Sequence, residues 1–353
     1  MKLIPLLALQ IVFLNALATP ADKLKAKLKE TVESGCTYFG HHDDPVYGHD
    51  WVGDEGRSDV LEITGSYPGM MSWDLGKLEW GNAENLDGVP FERMRQEVIN
   101  QDKRGGINTF SWHLDNPLTG EDSWNTEDKT LVERIVHTNE GQVAFRKQLD
   151  FLANFFNSLV DENGEKIAVI FRPFHEHTGN WFWWGRDNCT AVDYKALWGI
   201  MREQFDARGV DNVVWAYSPD RCASEEMYFE RYPGDGYVDI LGADVYHFGG
   251  EKGINQYVKS VETTLGIAKA EAAKRGKIAA FTETGLESIP IDDWYMSVLM
   301  PLLQRYRPAY VVVWRNAHDK PDHFYAPYPG HPSADAFKKF AENPQMVFVG
   351  GRR

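Results

Sequence analysis

The sequence predicts an α/β protein built as one (β/α)8 TIM barrel, and three observations carry that reading. Eight short apolar runs of β type alternate with segments of helical period, which argues for parallel strands joined by crossover helices. Eight such runs over roughly 300 residues favour a closed barrel over an open doubly wound sheet. No glycine-rich nucleotide fingerprint follows any run, which also disfavours the open sheet.

In chain order the expected strands are 36–41, 62–73, 106–113, 167–176, 212–218, 238–246, 277–284 and 310–315. The expected helices are 91–103, 142–160, 191–207, 258–274, 291–306 and 333–341. No low-complexity linker and no short-period repeat interrupts them, so residues 19–353 are expected to form one domain. Ahead of it, residues 1–18 read as a secretory signal. Lys2 gives a positive start, 3–17 is mostly apolar, and Ala16-Leu17-Ala18 fits a small-residue cleavage site. The expectation is export, to the medium or a periplasm. No Cys ends that run to take a lipid, and no later apolar stretch reaches the ~20 residues of a membrane span.

Composition narrows the partners. A formal net charge of −15 over 353 residues, with no Lys/Arg cluster, excludes a nucleic-acid binder on electrostatic grounds. Cys36, Cys189 and Cys222 can form at most one pair, and none of their spacings resembles a zinc site. The chain is expected to be a monomer without a cofactor. Its 12 Trp, 15 Tyr and 19 Phe are rich for this length, and sugar-binding sites are one common reason.

The ends of the runs carry the chemistry. They present His41 to Asp44, Trp73-Asp74, Ser111 to His113, His175-Glu176, Tyr217-Ser218, Asp244 with Tyr246, Glu283, and Trp314 to Asn316. In a (β/α)8 barrel the C-terminal ends of the strands form the active-site mouth, so all of these converge. Glu176 is followed by Trp181-Phe182-Trp183-Trp184, and apolar walls raise a carboxyl pKa towards that of a useful acid. Glu283 arrives from the seventh run, 107 residues later by 283 − 176, and two such carboxyls across a cleft can hydrolyse a glycosidic bond. The plainer readings are an aromatic-rich turn and an acid tying a loop. Two rival functions are a metal-dependent hydrolase using His175, His177 and His41 to Asp44, and a non-catalytic carbohydrate-binding barrel.

The chain resembles glycoside hydrolase family 26, a group dominated by endo-β-1,4-mannanases. The resemblance rests on Phe171-Arg172-Pro173-Phe174-His175-Glu176 with Trp181 to Gly185, and on Phe281-Thr282-Glu283-Thr284-Gly285. Tyr38 to Asp44, Ser111 to Pro117, Ala243 to Tyr246, Trp314 to Asn316 and Phe324 to Ser333 support it, over about residues 36–340. It implies a retaining double displacement on a β-mannan, with Glu176 as general acid/base and Glu283 as nucleophile. Carboxyl groups ~5–5.5 Å apart go with that stereochemistry. His175 and Tyr246 are implied to hydrogen-bond near Glu283, and Trp181 to support the leaving-group sugar. His113 and Trp314 are implied to line the distorted-sugar subsite, Arg315 to reach a more distal glycone unit, and Asp244 to hold a sugar hydroxyl or position Tyr246. β-Glucan and β-1,3-xylan are the minority substrates within the family.

Other residues remain open between two roles. Arg172 is either a structural or orienting charge or a sugar contact, and His177 has no assigned role. Asp43 and Asp44 either line the site or cap the first barrel turn, while Trp183 and Trp184 divide between cleft wall and helix packing. Trp51, Trp80 and Trp124 lie in long loops and are assigned to packing.

Overall fold

The computed structural model describes residues 18–351, so the expected secretory segment lies, apart from Ala18, outside the described residues. Among them, eight parallel strands close a barrel. These are β1 (Thr37–His42), β2 (Met70–Asp74), β3 (Ile107–Ser111), β4 (Val169–Arg172), β5 (Val213–Tyr217) and β8 (Tyr310–Val313), with β6 and β7 each in two segments. The segments of β6 are Ile240–Leu241 and Asp244–His247, and those of β7 are Ile278–Ala279 and Phe281–Leu286. Leu241 pairs with Ala279 and Asp244 with Glu283, so both halves of β6 lie against β7. Tyr38 pairs with Tyr310, which joins β8 back to β1. Closure removes the free edges that an open sheet would present.

The strands read as continuous apolar runs because both of their faces are buried. In β4, Val169 and Phe171 pack outward against the helical layer, while Ile170 packs inward with Met70, Ile107, Val214 and Val312. The two-residue period of a strand then turns Arg172 inward as well, at the mouth. Below, α1 (Pro20–Glu33) plugs the barrel, burying Ala21, Leu24 and Leu28 against that inner layer. Thr19 caps it in a reciprocal capping box with Asp22, and Pro20 opens its first turn. The sequence reading assigned no helix there.

Outside the barrel follow α2 (Asp59–Thr64), α3 (Phe91–Lys103), α4 (Leu131–His137), α5 (Asn139–Ser158) and α6 (Ala191–Ala207). Then come α7 (Glu225–Phe229), α8 (Ile254–Arg275), α9 (Met300–Tyr306) and α10 (Ala334–Glu342). A last strand, β9 (Met346–Val349), pairs with Thr37 and Tyr38 at the start of β1.

Five expected elements change. The strand placed at 62–73 begins only at Met70, because Ser58 caps α2 and Gly65, at φ 76°, ends it. The strand placed at 167–176 stops at Arg172, since Pro173 has no N–H to continue the ladder. The runs at 238–246 and 277–284 each break in the middle. The helix placed at 291–306 is a π turn, Tyr295–Leu299, leading into α9.

Candidate active site

The register of β6 against β7 sets Asp244 beside Glu283, and Tyr246, two residues on, shares their face. Arg172 spans both carboxylates from β4. Its Nη1 donates to Asp244 Oδ2 at 2.6 Å, and its Nη2 donates to Glu283 Oε2. The Tyr246 hydroxyl donates to Glu283 Oε1 at 2.6 Å, so both oxygens of Glu283 are held by the protein. Asp244 also accepts from Ser218 Oγ at 2.7 Å and Thr282 Oγ1 at 2.6 Å. Burial pushes the Asp244 carboxyl up to about 7, while the Arg172 charge and the hydroxyls oppose it. Burial alone would lower the pKa of Arg172. The charges of Asp244 and Glu283 outweigh that and hold it above the ordinary arginine range, so the guanidinium stays charged. Gly242 makes room for this network, because a Cβ there would sit 2.5 Å from Thr282 Oγ1.

Glu176 enters from the turn that follows β4. Phe174 and Glu176 have φ of 49° and 52°, left-handed values that cost a non-glycine residue free energy and recur at functional sites. The Glu176 N–H donates to Ser218 O at 2.8 Å, which ties the turn to the end of β5. Trp181 Nε1 donates to Glu176 Oε2 at 2.7 Å. The carboxyl stays partly open to the cleft but is closely surrounded. Burial raises its pKa well above the glutamate range, and the charges of Glu283, Asp244 and Asp220 push the same way. One carboxyl is thus driven towards its protonated form while the other accepts from a guanidinium and a phenol.

The walls are aromatic and charged in alternation. His113 Nδ1 meets Asp74 Oδ2 at 2.7 Å. Burial would lower the His113 pKa, but the charge and hydrogen bond of Asp74 outweigh it and raise the pKa, favouring the charged imidazolium beside the carboxylate. Asp74, which burial would raise, is held below the usual range by His113, Ser111 and the Gly76 N–H. His175 is kept neutral by burial and by the nearby charges of Arg172 and His113. The His113 ring stacks on Trp124 at 5.2 Å and meets His175 edge-on at 4.7 Å and Trp314 at 6.0 Å. Trp314 lies on His42 at 3.9 Å, and Arg315 pairs with Asp87 at 3.1 Å.

Two adjoining cavities share His113, Trp124, Trp314 and His323. One, of about 420 Å³, holds Glu176, Glu283, Trp181 and Tyr246. The other, of about 520 Å³, runs on past Arg315 and Asp87 to His318 and Lys320. The structure therefore brings Glu176, Glu283, His113, Trp181, Tyr246, Trp314 and Arg315 to the lining of one cleft. Asp244 is fully buried beneath it and is occupied by protein donors, which fits the positioning half of its expected role.

Several expectations change. His175 makes no hydrogen bond to Glu283 among the described residues; it touches the site through its edge contact with His113. Arg172, left open between two roles, is buried and gives its Nη groups to Asp244 and Glu283, as an orienting charge would. Trp183 and Trp184 are both fully buried, donating to Leu114 O and His175 O, so neither is a cleft wall. Trp124, assigned to packing, lies in the cleft with 47 % of its surface exposed. Trp51 is buried and donates to Asp59. His177 is wedged between Tyr194 and Tyr217, and both its ring nitrogens lack partners among the described residues. Neither His177 nor His175 belongs to a group of three clustered metal-type donors among the described residues. His42, Asp43 and Asp87 are the only group of three such residues among the described ones whose donor atoms all lie within 4.8 Å of one another. Arg315 already faces Asp87, and Tyr47 donates to Asp43.

Comparison with known proteins gives a consistent picture. The family model described as glycosyl hydrolase family 26 matches residues 20–297. A mannan endo-1,4-beta-mannosidase of Bifidobacterium adolescentis is 30% identical over 308 residues, which are 81% of this chain and 30% of that enzyme. One from Bacillus subtilis is 30% identical over 253 residues, 69% of this chain and 67% of its own length. The solved structure of a GH26 beta-mannanase from Bacteroides ovatus superposes with a TM-score of 0.91 at 45% identity, covering 95% of this chain and 96% of that one.

Proposed function

The chain belongs to glycosyl hydrolase family 26, and we propose that it is a retaining endo-β-1,4-mannanase acting on mannan, galactomannan or glucomannan by double displacement. The observation that carries this is the opposite setting of the two carboxyls. Glu176 is pushed towards protonation beside the Trp181 indole, while Glu283 is fixed by Arg172 and Tyr246. In the first step Glu283 attacks the anomeric carbon as Glu176 gives its proton to the departing glycosidic oxygen. In the second, the ionised Glu176 takes a proton from water, and the hydroxide equivalent displaces Glu283 with a second inversion. Trp181 carries the leaving-group sugar, His113 and Trp314 flank the reacting one, and Arg315 reaches a sugar further along the glycone arm.

The mannan assignment is supported by the activity named for the enzymes of B. adolescentis, B. subtilis and B. ovatus. Residues 1–18 support export, and no helix among the described residues is long and apolar enough to cross a membrane. The deciding experiment is product analysis on mannan, galactomannan and mixed-linkage β-glucan, with NMR identifying the anomer first released. Cleavage of the mannans with release of the β-anomer is expected. An α-anomer overturns the double displacement whatever the substrate, and preference for β-glucan overturns the mannan assignment. Activity should survive exhaustive chelation, and its loss would favour the metal-dependent alternative.

A further inference from the structure

The loop after β6 leaves Phe248 with 67 % of its surface exposed, at the rim of the cavity that holds both candidate catalytic carboxyls. A single exposed apolar side chain is ordinary on a protein surface. This one stands in a set. The Arg221 guanidinium lies over its ring at 6.0 Å, Asp220 pairs with Arg221 at 3.5 Å, and Trp181 on the same rim is 39 % exposed. Apolar rings flanked by a fork of N–H donors and a carboxylate suit a pyranose, whose C–H face stacks while its equatorial hydroxyls take hydrogen bonds.

The cleft also has a direction. Its other arm, through Trp314 and Arg315, contains neither Glu176 nor Trp181, whereas Phe248 shares a cavity with both. The acid that protonates a leaving group faces the leaving-group side, so Phe248 lies there. Its ring is 6.3 Å from that of Tyr246, the residue that holds Glu283.

We propose that Phe248 and Arg221 form a second aglycone subsite, which takes the next β-1,4-linked hexose beyond Trp181 on the reducing-end side. The proposal rests on the glycosidase reading above and adds a site to it. Phe248 stacks on the sugar ring while Arg221 and Asp220 meet its hydroxyls. The same subsite would seat the incoming sugar when an oligosaccharide, rather than water, takes the glycosyl group from Glu283.

The test compares mannopentaose, long enough to reach Phe248, with p-nitrophenyl β-mannobioside, whose aglycone ends near Trp181. In Phe248→Ala the ratio of kcat/KM for the first to kcat/KM for the second should fall about tenfold, the effect of one lost stacking contact. Phe248→Tyr should restore it. A ratio within about twofold of wild type, or equal losses on both substrates, overturns the subsite, since a merely structural role moves both alike. Wild-type protein inert towards mannopentaose overturns the mannanase reading instead, and with it the sugar named here.

Discussion

Replacing Arg172 by Met removes the cation shared by Glu283 and Asp244 while keeping much of its volume. The side chain is 4 % exposed, Asp244 is fully buried and Glu283 nearly so, so water cannot substitute for the lost donors. Two hydrogen bonds to charged acceptors are worth about 1.5–3 kcal/mol each. Removing one partner of a buried ion pair costs about 3–5 kcal/mol by direct measurement in other proteins. The two figures overlap near about 4 kcal/mol, and the loss of that much stabilisation from the transition state, where Glu283 must be held for attack, lowers kcat/KM about a thousandfold at 1.36 kcal/mol per decade. Part of the loss comes from leaving the neighbouring Asp244 and Glu283 carboxylates with no cation between them. The assay is kcat/KM on mannopentaose from released reducing ends, with circular dichroism and Tm confirming the fold. Arg172→Lys keeps the charge but not the fork, and should fall between wild type and the Met variant. A folded Arg172→Met enzyme within about tenfold of wild type would show that the guanidinium does not hold the nucleophile, whatever the distances suggest.

Glu283→Ala should abolish turnover of every substrate, and substantial residual hydrolysis of an activated aryl glycoside would contradict its nucleophilic role. Glu176→Ala should harm poor leaving groups far more than activated ones, since only the former need a proton; equal losses would argue against the acid role. Because Glu176 must be protonated and its pKa is raised, wild-type kcat should fall as pH climbs through that raised value, and Glu176→Ala should lose this alkaline limb on an activated substrate. Asp74→Asn should bring the His113 pKa below its wild-type value by NMR, and an unmoved resonance would refute the pair. The same variant should lose about 3–5 kcal/mol of stability while His113 is charged. With a folded-state pKa above the unfolded value near 6.5, the histidine's share is complete below about 6.5 and is lost as pH rises through the raised pKa, so the gap in Tm should narrow at alkaline pH.

Much of the mouth was legible because strand parity is strict. Once Ile170 is an inward residue, Arg172 must be one too, and the paired runs around Asp244 and Glu283 carry their side chains to one face. Parity fails where the strand ends. His175 and His177 read as neighbours on one face, but the turn opened by Pro173 sends His177 between two tyrosines. Trp124 sits among Asp, Asn and Thr with no period to orient it, and only the closed barrel brings it onto His113. Residues 62–73 mixed apolar and polar positions in a way that suits either element, and Ser58 and Gly65 were the overlooked punctuation. For α1, Ala21, Leu24 and Leu28 had helical spacing, but they follow directly on an apolar stretch read as a leader.

The plug beneath the barrel also bears on how the molecule is presented to a polymer. Residue 20 begins α1 under the floor, and Met346 and Val347 lie against Thr37 and Tyr38, where β1 starts. Both ends of the described chain thus emerge on the face opposite the cleft. A support, a surface or a fused module attached at either end holds the molecule by its base. The groove then faces outward, free for an insoluble polysaccharide to lie across it.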